Sequence, residues 1–70
     1  MSTLDWLYQK LQHQVTSAQA CLEAYVDAIE AKHPTKANQS RTELNYWLDR
    51  IKNTQRVIEE YEDEVLAKGE

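Results

Sequence analysis

The sequence predicts an all-α fold: an antiparallel two-helix hairpin, packed in the manner of a coiled coil and dimerising into a four-helix bundle. Three observations predict it. Leu4, Tyr8, Leu11, Val15, Ala18, Leu22, Tyr25 and Ile29 follow one another at alternating spacings of four and three. That average of about 3.5 residues is the repeat of a helix wound against another helix. Leu44, Trp47, Ile51, Thr54, Ile58, Tyr61 and Val65 form a second stripe of the same kind. Finally, one Gly and one Pro in 70 residues leave few places for turns. A half-buried strand needs period two, which neither half shows.

The first helix spans about residues 3–32. Ser2 or Thr3 caps it by accepting from an orphan amide of the first turn, and Asp5 sits at the positive end of the helix dipole. His33-Pro34 ends it, because the residue before proline is pushed out of the α region. Lys32 and His33 fall at the negative end, which favours cations. The connection covers 33–39. It lacks glycine, so an ordered turn is expected, and Thr35 to Gln39 can add a helical turn. Ser40-Arg41-Thr42-Glu43 has the spacing of a capping box, which starts the second helix at about 40. That helix runs to about 68, with Gly69 placed as a C-terminal cap. The whole, residues 1–70, reads as a single helical-hairpin domain.

Folding the chain at this connection pairs Ile29 with Leu44, Leu22 with Ile51, Val15 with Ile58 and Tyr8 with Val65. One layer is thin and partly polar, with Ala18 facing Thr54 and Gln55. A single seam leaves both stripes half covered. Ordering costs roughly 1.5 kcal/mol per residue, which one seam of this length does not offset. A second copy is therefore expected, with Leu11, Val15, Ala18, Leu22, Ile51, Thr54 and Ile58 in the dimer core.

Composition narrows the functional classes. Twelve acidic and eight basic side chains give a formal net charge of −4, which argues against non-specific binding to nucleic acid or anionic lipid. No apolar run is long enough to span a membrane, and the first residues lack the pattern of a secretory signal. The lone Cys21 cannot form an internal disulfide, so a reducing, cytoplasmic home is expected.

Few residues point to catalysis, and no cofactor is expected. Glu30-Ala31-Lys32-His33 matches the Glu-x-x-His ligand pair of di-iron helical bundles, which makes a metal-dependent bundle enzyme one alternative. The motif stands beside Pro34 with no inward glutamate to accompany it. His13 lies on the outer face without a ligand at suitable spacing, and Cys21 borders the stripe as core filler. The single glycine excludes a phosphate-cradling loop.

Glu59, Glu60, Glu62, Asp63 and Glu64 surround the core residue Tyr61. Such a run is a solvated helix face or, in a sharper reading, an acidic track that imitates nucleic acid before a partner with a basic surface. Trp6 and Tyr46 lie outside the stripes and are residue types that anchor interfaces. Arg41, Arg50, Lys52 and Arg56 support the other alternative, a nucleic-acid-binding regulator. In helix number and length the chain resembles small helical-hairpin dimers such as the plasmid copy-number regulator Rop; no motif is shared, and such a likeness transmits no function. The expected role is that of a non-catalytic protein–protein interaction module, a regulator, inhibitor or assembly factor of the kind phage or bacterial accessory proteins supply.

Overall fold

The computed structural model describes residues 2–68. Two helices carry nearly all of them: α1, Thr3–Glu30, and α2, Pro34–Lys68. They pack against each other antiparallel. Tyr8, near the start of α1, bonds Glu62 near the end of α2, and Tyr25, near the end of α1, bonds Arg41 near the start of α2. The hairpin is a rod measuring 56 × 18 × 12 Å, with a radius of gyration of 16.3 Å. A globular chain of this length would have about 11 Å.

Of the two candidate caps for α1, Ser2 takes the position. Its backbone is extended and its Oγ accepts from the Asp5 amide at 3.1 Å. The Ser2 carbonyl accepts from Trp6 N, also at 3.1 Å.

The connection is shorter than the sequence predicts. α1 stops at Glu30 and α2 starts at Pro34, so only Ala31, Lys32 and His33 lie between them. The His33 amide donates to the Ala28 carbonyl at 2.9 Å and the Lys32 amide to the Ile29 carbonyl at 3.1 Å. This paired closure satisfies the last carbonyls of a helix around one residue in the left-handed region. Here that residue is Lys32, with φ at 60°, where glycine is usual. Pro34 then opens α2. At the first position of a helix its missing N–H is not needed, and its fixed φ suits the helix. The proline thus starts a helix as well as following the end of one. Ser40 consequently lies inside α2, and Ser40 to Glu43 is no capping box. Gly69 lies outside the described residues.

The shorter turn changes how α1 meets α2. On α2 the buried and half-buried positions are Ala37, Ser40, Leu44, Trp47, Ile51, Thr54, Ile58, Tyr61 and, beside the last, Glu62. This is the expected stripe, continued back toward the turn. On α1 they include Leu4, Leu7, Leu11, Gln14, Ala18, Cys21, Tyr25 and Ala28. Leu4, Leu11, Ala18 and Tyr25 belong to the expected stripe. Leu7, Gln14, Cys21 and Ala28 replace Tyr8, Val15, Leu22 and Ile29, so α1 is rolled by one position about its axis.

A physical reason lies at the turn. Three residues hold the two helices close together, and the residues facing inward there are the small Ala28 and Ala37, 5% and 4% exposed. An inward Ile29 would hold the helices apart. The pairing also slips by about one turn. Thr54, expected against Ala18, donates instead to Gln14 Oε1 at 2.8 Å, four residues earlier in α1.

The interior is thin. Its buried apolar residues are Leu7, Ala18, Ala28, Ala37 and Ile58. Three of the five are alanines, so little apolar area leaves water when the hairpin closes.

Candidate interaction surface

The roll of α1 leaves a row of large apolar side chains outside. Tyr8, Val15, Leu22 and Ile29 recur every seven residues and are 48%, 38%, 48% and 54% exposed. Seven residues are almost two helical turns, so the four line up along the rod for about 30 Å. Val26 stands beside them, exposed as well. The Tyr8 hydroxyl donates to Glu62 Oε1 at 2.7 Å. This bond puts the row on the same side of the hairpin as Arg41, Leu48, Gln55 and Glu62, which recur every seven residues on α2. Leu48 is exposed there too.

Val15 and Leu22, expected in the dimer core, are therefore in this exposed row. Ala18, Thr54 and Ile58 are buried, and Leu11 and Ile51 half-buried, within the seam of a single hairpin. Sequence reasoning missed Gln14 as an interior residue. The signal that finds it is Thr54: a buried hydroxyl needs a partner, and Gln14 supplies one from across the seam.

Successive residues of a helix turn by about 100°, so Glu59, Glu60, Asp63 and Glu64 fall on the outer half of α2 and Glu62 at its edge toward α1. Glu62 is half-buried and held by Tyr8, while the other four are exposed. The contact raises the Tyr8 phenol above its ordinary value, first through the hydrogen bond to Glu62, then through burial and the neighbouring negative charge. Trp6 lies at this same end of the hairpin, 54% exposed, with the Lys10 ammonium 5.3 Å from its ring centre.

Tyr46 stands apart from that end. Its ring meets Trp47 edge-on at 5.3 Å, and the Arg50 guanidinium lies 4.8 Å from its centre. His13 reaches the other side of Trp47, again edge-on, at 6.4 Å. These contacts occupy the opposite side of the hairpin from the apolar row.

The basic side chains are likewise dispersed. Arg41 donates to the Tyr25 hydroxyl at 3.3 Å, Arg50 rests on Tyr46, and Arg56 donates to Asn53 Oδ1 at 3.0 Å. Glu30 ends α1 whereas His33 belongs to the connection beyond the left-handed Lys32. The Glu-x-x-His spacing is therefore not carried on one helix. Among the described residues no three His, Cys, Asp or Glu side chains gather as a metal-binding group. Cys21 is half-buried and its Sγ donates to Glu43 Oε2 at 3.8 Å. Burial first, and then the Glu43 carboxylate, push its thiol up and so away from the reactive thiolate.

Among the described residues no helix is long and apolar enough to cross a membrane. Compared with known protein families, curated proteins and solved structures, the chain matches none.

Proposed function

We propose that the protein is a non-catalytic interaction module: hairpins pair into a four-helix bundle, and the bundle acts by occupying another macromolecule. The observation that carries this reading is the exposed row of Tyr8, Val15, Leu22 and Ile29 on a rod that buries only five apolar residues, three of them alanines. An extended apolar patch of this kind marks an association site, and a chain of this size gains from a partner the burial it lacks alone. The outward partner is a protein with a basic surface. Trp6 and the free carboxylates of Glu59, Glu60, Asp63 and Glu64 share the open end of the rod and supply an aromatic anchor within a negative field. Tyr46 offers a second aromatic contact on the flank. Nucleic acid fits less well, because Arg41 and Arg50 are drawn onto tyrosine rings and no basic stripe forms.

Light scattering across a concentration series, with Cys21 kept reduced, tests the pairing. A mass of twice the 8.2 kDa chain is expected. The chain mass at every concentration would overturn the reading.

A further inference from the structure

Resting on that reading, we infer that the second copy seats on the face of Tyr8, Val15, Leu22, Ile29 and Leu48 with its turn at the opposite end of the rod, so that α1 lies antiparallel on α1. Two features of the face select this occupant and this direction. The first is the order of the α1 row. Run against itself, it sets Tyr8 opposite Ile29 and Val15 opposite Leu22 twice over, so every member meets an apolar partner and the two-fold axis passes between Val15 and Leu22. An interface of this kind is self-complementary, as two-fold symmetry requires.

The second feature is charge. Along the α2 flank of the face, Arg41 lies toward the turn, Lys52 at the middle of the helix, and Glu59 and Glu62 toward the open end. With both turns at one end, the two Arg41 side chains gather at that end and the four glutamates at the other. With turns at opposite ends, Arg41 of each copy lies along the Glu59 and Glu62 end of its partner, while Lys52, at mid-helix, is indifferent to direction. Like charges brought together across an interface are costly, and complementary ones fix direction. The other side of the hairpin carries Glu43, Arg50, Val57 and Glu64 at seven-residue spacing, with Glu43 held against Cys21. That line offers one apolar residue, Val57, and the exposed Tyr46 near it is covered by the Arg50 guanidinium, whereas the row offers four in line.

Cross-linking reads the direction. In a Cys21→Ser background, a Val15→Cys chain and a Leu22→Cys chain are prepared separately, mixed in equal amounts and oxidised. Antiparallel pairing brings position 15 of one copy to position 22 of the other, within the short Cα separation a disulfide needs. The mixed disulfide should exceed either homodisulfide several-fold. If Val15→Cys chains link chiefly to one another, or if no link forms while scattering still gives twice the chain mass, the inference fails and the pairing stands. The chain mass in scattering removes both. Substitution by charge gives a second readout. Val15→Glu should halve the mass, and Val57→Glu, at a site 48% exposed on the other side, should leave it unchanged. The reverse result moves the interface to that side and overturns the inference.

Discussion

Tyr8 belongs at once to the apolar row and, through its hydroxyl, to the contact with Glu62. That contact has a definite pH signature. The phenol is raised above its ordinary value of 10.0, the hydrogen bond to Glu62 being the first cause. A group whose folded value is raised contributes stability that is fully present below its unfolded value and lost as pH climbs through the folded one. The Tyr8 contribution is thus complete below about pH 10 and disappears above it. In an ultraviolet titration Tyr8 should ionise late, and Glu62→Ala should bring its ionisation to lower pH. Superimposable titration curves for the two proteins would show that the bond does not form in solution. Lys32 illustrates a different residue-level economy: a left-handed residue costs a non-glycine side chain roughly 1–2 kcal/mol, yet here it allows the turn to close in three residues.

At the scale of the element, α1 carries two overlapping seams. One contains Tyr8, Val15, Leu22 and Ile29, the other Leu7, Gln14, Cys21 and Ala28, and Leu4, Leu11, Ala18 and Tyr25 serve both. Periodicity made both helices and the α2 stripe legible in the sequence. It pointed to the wrong seam of α1 because hydrophobicity ranks Val15 above Gln14 and Ile29 above Ala28. The turn decides otherwise: it demands small residues where the helices converge, and a polar residue is acceptable inside once Thr54 meets it. Pro34 was equally ambiguous, since proline both terminates and initiates helices. The acidic end and Trp6 were legible as exposed and as neighbours; the capture of Glu62 by Tyr8 was not, because it depends on the register.

The Gln14–Thr54 bond makes the choice of seam testable. Thr54→Val leaves the Gln14 oxygen buried without its donor and should cost about 1–3 kcal/mol. Gln14→Leu together with Thr54→Val should recover most of that loss, since two apolar partners replace the bonded pair without leaving an orphan. A double-mutant cycle by urea denaturation measures the coupling. Simple additivity would mean that the two side chains do not meet.

The whole molecule is a rod with chemically different ends. The turn end is compact and tied by backbone bonds, while the open end carries Trp6 and four free carboxylates. Replacing Glu59, Glu60 and Glu64 by Gln and Asp63 by Asn removes charge without touching the seam or the Tyr8–Glu62 bond. Helix content by circular dichroism should be unchanged. Binding of a labelled arginine-rich peptide, followed by fluorescence anisotropy at low salt, should weaken by an order of magnitude or more. Unchanged binding would place the recognition surface elsewhere on the rod.

The sharing of Leu4, Leu11, Ala18 and Tyr25 between two seams divides α1 by the kind of damage a mutation does. A change at Leu7 or Ala28 is felt inside one hairpin, and a change at Val15 or Leu22 should be felt only at the proposed contact between copies. A change at Leu4, Leu11 or Tyr25, half-buried in the seam, should be felt in both places at once, and one at the buried Ala18 chiefly inside the hairpin. One helix thus offers three classes of defect — unfolded, unpaired, or both — separable by comparing helicity with mass for a set of single substitutions.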